Sequence, residues 1–334
     1  MKQKNESNSP KGRLVNVDGV QFQLIDGKLY RYADLTMDKG FKIVFGQIGS
    51  EELLKNLLNR LLGTRISRLT YRNTEHPGMT EDERESRFDV YCRDEDGSGF
   101  IIEMQNWQQK YFNKRAVYYS SLAVQTQAVE EYRRQKEIMR KNWNYDFAPL
   151  YVVSFLNFNN WTFEGCDKRR NEYVATYRYR DVETGNELND GTSLVFIDLA
   201  RFNKSLTACE NLQDMWLYSI KNMSSQSTCP ESMSGTEVEE LFMQAELAKM
   251  TKEQRISIEL SIMSRNDILN SISETIESAK EEAIALGKAE GHALGKAEGE
   301  ILKAKEIAIR LLAKGFSKSE VASIVGIDES ELDI

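Results

Sequence analysis

The amino-acid sequence predicts a mixed α/β protein with a helical C-terminal extension. Short apolar runs typical of buried strands recur within the first two hundred residues. Only 4 of the 334 residues are Pro, and long stretches lack both Pro and Gly, which favours helices. Because the strand-like and helix-like runs follow no regular β-α-β period, the sequence fits either an α/β or an α+β sheet.

Residues 1–32 are predicted to form an N-terminal extension with a short β-hairpin. The first 12 residues are polar, and the following run LVNVDGVQFQLIDGKLYRY alternates apolar and polar residues. Asp-Gly pairs stand at positions 18–19 and 26–27. Asp-Gly between alternating segments is typical of a tight hairpin turn.

A helix is predicted from Ser50 to Leu62, with Ser50 as a residue type that can cap its first turn. Its leucines recur at the three- and four-residue spacing of an amphipathic helix. They are Leu53, Leu54, Leu57, Leu58 and Leu61.

Further elements follow from apolar runs and turn signals. Strands are predicted at Arg87–Cys92 and Gly99–Gln105, joined by the turn sequence RDEDGSG, whose Asp-Gly pair favours a tight turn. A mixed helical pattern covers residues 113–140. Three more strand candidates are residues 150–158, 173–179 and 193–199.

The chain is almost wholly helical in pattern after residue 203. We divide this part into a helical region at 226–284, a repeat of ALGKAEGH and ALGKAEGE at 285–300, and a small helical unit at 301–334. Four interior glycines make an isolated repeat helix marginal, since each costs about 0.8–1 kcal/mol relative to Ala. A semi-flexible spacer is favoured over close helix packing.

The last unit resembles a small helix-turn-helix, but its final segment, residues 328–334, contains four acidic residues. Acids there would repel phosphate, which favours a packing or protein-interaction role. Self-association through the C-terminal helices is one such role.

The net charge of −8 is unevenly distributed. Residues 1–160 carry 24 Lys+Arg and 21 Asp+Glu, so the acidic excess belongs to the second half. Basic residues concentrate in residues 53–74 and 110–141. Such local patches suit phosphate binding, although a solvated helix face explains them equally well.

Cysteine, histidine and hydropathy patterns exclude several classes of protein. Four scattered Cys without CxxC spacing indicate a reducing compartment, which we take as the cytoplasm, and no zinc site. Only 2 His are present, which disfavours histidine chemistry. The polar start carries no secretory signal, and no apolar run is long enough to span a membrane.

The strand pair at residues 87–105 carries the candidate chemistry. Because side chains alternate, Phe88 would share one face with the other apolar residues of its strand, and Asp89 would lie on the opposite face. Glu103 and Gln105 share one face of the second strand. Antiparallel pairing would bring Asp89 beside them, where two carboxylates could bind Mg²⁺ or Mn²⁺. On spacing alone, surface salt bridges are the commoner role of such acids.

A resemblance gives this pattern more weight. FDVYCRDEDGSGFIIEMQ resembles the PD-(D/E)XK nuclease signature in the form found in the recombination-promoting nuclease family, which is also described as a transposase family. Further blocks resemble the family in the same order, over roughly residues 33–334. They are DKGFKIVFG, LLKNLLNRLLG, QKYFNKRAVYYSS, WNYDFAPLYVVSFLNF, SLVFIDLARFNKS, the Gly-Lys-Ala-Glu repeat and LLAKGFSKSEVASIVGI.

The resemblance implies a restriction-endonuclease-like domain at residues 33–225, a mixed sheet flanked by helices. It implies a Mg²⁺-dependent DNA endonuclease linked to recombination or mobile elements. Asp89 takes the motif Asp position and Glu103 the motif Glu position, both as metal ligands. Gln105 stands where the superfamily usually has Lys, and Gln can only orient water or phosphate by hydrogen bonds.

We therefore expect a Lys or Arg side chain from another part of the chain to supply the positive charge that Gln105 lacks. Arg115 fits a family block and is the first candidate for phosphate contact, followed by Lys114 and Arg87. Glu52 is a candidate additional acid of the site, although an acid in the first helical turn also has a simple structural role. The alternative function is a catalytically inactive DNA-binding or protein-interaction scaffold with the same fold.

Overall fold

The computed structural model describes residues 12–72, 75–76, 86–108, 111–138, 145, 147–158, 173–188 and 191–332. The chain divides into two compact units, residues 1–263 and 264–334. Each unit is considered by itself below.

The strands are β1 (Arg13–Val17), β2 (Val20–Ile25), β3 (Lys28–Tyr30), β4 (Leu69–Tyr71), β5 (Glu75–His76), β6 (Ser86–Arg87), β7 (Val90–Asp94), β8 (Gly99–Gln105), β9 (Leu150–Leu156), β10 (Val174–Tyr177) and β11 (Thr192–Asp198). The α-helices are α1 (Asp38–Phe45), α2 (Glu51–Leu62), α3 (Phe112–Arg133), α4 (Leu212–Asn222), α5 (Glu237–Ala245), α6 (Lys252–Leu312) and α7 (Lys318–Val325).

A six-stranded mixed sheet forms the centre of the first unit, in the order β10-β11-β9-β8-β7-β4. Strands β8, β9 and β11 run parallel to their neighbours in this group, while β7 and β10 pair antiparallel to β8 and β11. The prediction of a mixed sheet flanked by helices is confirmed.

Helices cover both faces of this sheet. Apolar residues of α1, α2, α4 and α5 pack with one face in a large core that includes Phe41, Leu57, Ile102 and Phe155. Helix α3 packs on the opposite face, where Ala123 contacts the cluster of Ile101 and other sheet residues. The strands are therefore apolar on both sides, as expected of the parallel part of a sheet.

The N-terminal hairpin prediction is confirmed and extended, because β1, β2 and β3 form a three-stranded antiparallel sheet. Both Asp-Gly pairs form the turns, with positive φ at Asp18 (52°), Gly19 (83°), Asp26 (48°) and Gly27 (77°). Positive φ at two successive turn residues gives the twist that a tight hairpin requires.

The leucine-rich helix α2 is confirmed, and all five of its predicted apolar positions are buried. Ser50 precedes the helix but its side chain makes no cap hydrogen bond, so that prediction is wrong. Its hydroxyl donates instead to Gln244 Oε1 at 2.9 Å. Helix α1, immediately upstream, was not predicted from periodicity.

The strand predicted at Arg87–Cys92 is interrupted. Strand β6 ends at Arg87, and β7 begins only at Val90. Phe88 does not share a face with Val90, as alternation predicted; it packs with Tyr91 and Ile101 on the α3 side. The chain bends at Asp89, and the bend breaks the alternation of side chains.

The second unit contains most of α6 and a small C-terminal helical core. Gly315 (φ 97°) ends the turn after α6, and Ser317 caps α7 in a capping box with Glu320. Ala308, Val321 and Leu332 form the buried centre. The predicted pattern of two helices around Gly315 is confirmed.

The repeat at residues 285–300 lies within α6. A Cβ added at any of its four glycines would meet no atom within 4 Å in the described residues. The described part of the chain therefore contains no close helix packing at the repeat, and the spacer interpretation stays a prediction.

Candidate active site

Glu103 lies on the central strand β8, on the face that α3 covers. Its side chain is buried, at 9% exposure for the residue, because strands flank β8 on both sides. Gln105 Nε2 donates a hydrogen bond to Glu103 Oε2 at 2.8 Å. The other oxygen, Oε1, is buried without a hydrogen-bond partner among the described residues. A lone pair of a buried carboxylate is thus left for a ligand.

Asp89 lies at the bend before β7. Its Oδ2 accepts a hydrogen bond from the backbone N–H of Met104 at 2.8 Å, so its side chain is fixed against β8. The antiparallel register pairs Val90 with Ile102, the chain neighbours of Asp89 and Glu103. The bend lets Asp89 reach β8 while its neighbour Phe88 turns toward α3.

Two further charged residues join the site from α1. Lys42 Nζ lies 2.9 Å from Asp89 Oδ1 and 2.9 Å from Asp38 Oδ1. Both residues lie in the block DKGFKIVFG, and neither was predicted to belong to the site. The available signal was a Lys four residues after an Asp, one helical turn apart, in a block that resembles the family.

Burial dominates the electrostatics of the carboxylate pair. Desolvation raises the pKa of Asp89, and the neighbouring Asp38 raises it further, while Lys42 and the Met104 N–H oppose the rise. Desolvation also raises the pKa of Glu103, followed by the charge of Asp89. Arg115 and Lys42 lower it in part. Two acids that repel each other in a buried site favour the arrival of a positive charge.

A small cleft opens beside Glu103 and Gln105. Its other polar lining groups are Arg115 and Tyr119 on α3 and Ser154 on β9. The Arg115 guanidinium lies 5.3 Å from the centre of the Tyr119 ring, which supports it in place. The cleft thus presents a carboxylate, an amide and a guanidinium to one small space.

The sequence model of the PD-(D/E)XK nuclease family transposases matches residues 35–275. This chain belongs to that family. The match includes α1 through α5, the whole central sheet and the start of α6. No curated protein and no solved structure matches the chain. Family membership supports a nuclease-type hydrolase.

Two other predicted site residues of this PD-(D/E)XK protein, Lys114 and Glu52, have exposed side chains. Lys114 is exposed on α3 with its Nζ 5.8 Å from the Tyr111 ring centre. Glu52 has a side chain that is 75% exposed and forms an ion pair with Lys55, so the structure does not bring it to the carboxylates. Asp38 is the additional acid found there. The structure does not describe the side chain of Arg87.

The PD-(D/E)XK site fits a hard divalent cation. Asp89 and Glu103 offer carboxylate oxygens, and Mg²⁺ commonly takes one or two carboxylates and completes its shell with water and substrate. In the part of the chain that the structure describes, no group of three His, Cys, Asp or Glu residues is arranged to hold a metal. The oxygen donors of Asp89 and Glu103 are the kind that Mg²⁺ and Mn²⁺ prefer.

Among the described helices, none combines the length and apolar character needed to cross a bilayer.

Proposed function

We propose that this protein is a divalent-metal-dependent DNA endonuclease that hydrolyses phosphodiester bonds. The observation that carries the proposal is the buried pair Asp89 and Glu103, whose one free oxygen, Glu103 Oε1, lacks a hydrogen-bond partner among the described residues. Burying a carboxylate oxygen without a partner is costly unless a ligand compensates for it. Membership in a nuclease family supplies the reaction class.

Each residue has a distinct role in this proposal. Asp89 and Glu103 would hold Mg²⁺ or Mn²⁺, and Gln105 orients Glu103 by donating to Oε2, which leaves Oε1 available to a cation. Arg115, on the opposite wall of the cleft, stabilises negative charge on the phosphate. When bound, the divalent cation polarises the phosphoryl oxygen and lowers the pKa of water.

DNA is the proposed substrate, and the setting is recombination or mobile-element activity in the cytoplasm. Arg115 of α3 lines the cleft, and its positive charge suits a phosphate of the DNA backbone despite the acidic total charge of the chain. The described cysteines, Cys92, Cys209 and Cys229, are free, in keeping with a reducing compartment.

Plasmid cleavage tests the proposal. The wild-type protein is expected to convert supercoiled DNA in Mg²⁺ or Mn²⁺ and to lose this activity in EDTA. Asp89→Asn and Glu103→Gln should each abolish cleavage, while Glu183→Gln, at an exposed acid on the surface turn after β10, should not. Cleavage that survives unchanged in either site variant would reject the assigned site.

The second candidate function is an inactive DNA-binding or protein-interaction scaffold. It is favoured by Gln105, which carries no charge where the superfamily usually has Lys. A scaffold would bind DNA in a salt-dependent way and yield no product under any metal condition. A metal-dependent product that disappears in Glu103→Gln excludes it.

A further inference from the structure

We propose that Lys42 is the catalytic cation of this site and takes the role that a lysine at position 105 would have. The inference rests on the proposed nuclease function. It assigns to a residue of α1 the contact with the reacting phosphate that the amide of Gln105 cannot provide.

The position of Lys42 supports this role. Its Nζ lies 2.9 Å from Asp89 Oδ1, so it directly contacts one of the two proposed metal ligands. The Lys42 side chain is 27% exposed, whereas Asp89 is 10% exposed. The lysine is therefore more accessible to solvent than the carboxylate it contacts, which leaves it open to a substrate.

The hydrogen-bonding capacity of Lys42 leaves room for a substrate oxygen. An ammonium has three donors, and the two contacts to Asp38 and Asp89 use two of them. A phosphate oxygen can take the third without breaking either ion pair.

Asp38 explains how Lys42 remains in place. Asp38 lies one turn before Lys42 on the same helix, contacts its ammonium, and also shares a side-chain hydrogen bond with Asp89. If Asp89 turns its charge toward a divalent cation, Asp38 still holds the lysine at the site.

Arg115 does not duplicate this arrangement. It approaches Glu103 from α3, on the opposite face of the sheet, and its guanidinium lies over Tyr119. Lys42 and Arg115 thus belong to helices on opposite faces of the sheet, and of these two described cations Lys42 is the one in contact with Asp89.

The test compares Lys42→Met with Lys39→Met, a matched control on the same helix whose side chain is exposed. Cleavage is measured at saturating Mn²⁺, and Mn²⁺ affinity is measured separately by calorimetry. For Lys42→Met we expect cleavage to fall about 100-fold or more, while Mn²⁺ binds at least as tightly because a competing cation is gone. Lys39→Met should match the wild type in both measurements.

Rescue distinguishes a catalytic cation from a structural ion pair. The double variant Lys42→Met with Gln105→Lys returns a positive charge to the carboxylate pair from β8, and we expect it to recover a large part of the lost cleavage. Lys42→Arg, which keeps the charge, should retain part of the cleavage activity. If Lys42→Met fails to fold, Lys42→Arg replaces it in the comparison with the wild type.

Three results would overturn the inference. One is wild-type cleavage by Lys42→Met at saturating Mn²⁺. Another is loss of cleavage that follows weakened Mn²⁺ binding and is not rescued by Lys at position 105. The third is the absence of any cleavage by the wild-type protein. That result rejects the proposed nuclease function as well, whereas the first two results reject only the role of Lys42.

Discussion

Glu103 is a carboxylate held where water has little access, and its chemistry follows from that position. In the unfolded chain it titrates near the ordinary Glu value of 4.5, while in the folded protein desolvation raises its pKa. The folded state therefore binds the proton more tightly than the unfolded state. The stability of the metal-free protein must fall as pH rises through the range between these two values.

Glu103→Gln should consequently stabilise the metal-free protein while it abolishes cleavage. We expect a gain of about 1–3 kcal/mol in the free energy of unfolding at neutral pH, because wild-type Glu103 must either keep a buried charge or take up a proton on folding, and Gln does neither. Denaturant unfolding in EDTA at two pH values measures it. The gain should shrink at acidic pH, where the wild-type carboxyl is protonated; a gain independent of pH would contradict this explanation.

Metal affinity should depend on pH in a range where ordinary carboxylates are already ionised. The ordinary pKa values are 3.8 for Asp and 4.5 for Glu, and burial raises both in this site. The cation must displace any proton that the pair holds. Metal affinity should therefore fall about tenfold for each unit by which the pH is lowered, for each proton displaced. Calorimetric titration with Mn²⁺ across neutral pH tests this, and constant affinity over that range would refute it.

At the scale of single elements, the bend at Asp89 decides the geometry of the site. Alternation along a regular strand predicted that Asp89 and Phe88 lie on opposite faces of one strand. The Met104 N–H donates its hydrogen bond to the Asp89 side chain and not to a strand backbone. Phe88 packs with Tyr91 and not with Val90. A short side chain that bonds to the backbone competes with regular strand pairing, which periodicity alone does not reveal.

The glycines of α6 allow a prediction about a single helix. None of the four repeat glycines has a positive φ, and Cβ atoms there would meet no described neighbour. Gly291→Ala and Gly295→Ala should each stabilise the helix by about 0.8–1 kcal/mol. Circular dichroism and thermal unfolding of the full chain measure the change.

An opposite result at these glycines would support close packing between helices. If the Ala variants lower the melting temperature, or change the mass measured by light scattering, the glycines contact a second chain. Such a result would favour self-association over a spacer.

At the scale of the whole molecule, the first compact unit ends at Met263, within α6. Ile258 and Ile262 belong to its apolar core, so the start of α6 is part of the unit. A chain that ends after Met263 should fold cooperatively and keep metal-dependent cleavage. A chain that ends after Thr251 should unfold at much lower denaturant concentration, because it lacks both isoleucines and exposes the core they cover.

Light scattering of the full chain and of the chain ending at Met263 also tests self-association. If the C-terminal helices join two copies, only the full chain should have the mass of an oligomer. Equal monomer masses would end that proposal, and failure of the 1–263 chain to fold would contradict the division into units.

The sequence by itself determined the local elements. Asp-Gly pairs predicted both N-terminal turns, leucine spacing predicted α2, and apolar runs predicted β8, β9 and β11. These elements depend on residues close together in the chain, so hydrophobic periodicity and turn residues reveal them. The nuclease class came from the resemblance of several sequence blocks to a family, and membership in that family supports it.

Only the tertiary structure decided which charges share the site. Lys42 and Asp38 join Asp89 because α1 packs against the sheet, and Glu52, equally acidic, stays in solvent because its helix presents it outward. Such contacts link residues far apart in sequence, and they follow from how apolar faces are buried. The sequence shows which positions carry a charged side chain, whereas the packing of helices on the sheet decides which charged side chains contact each other.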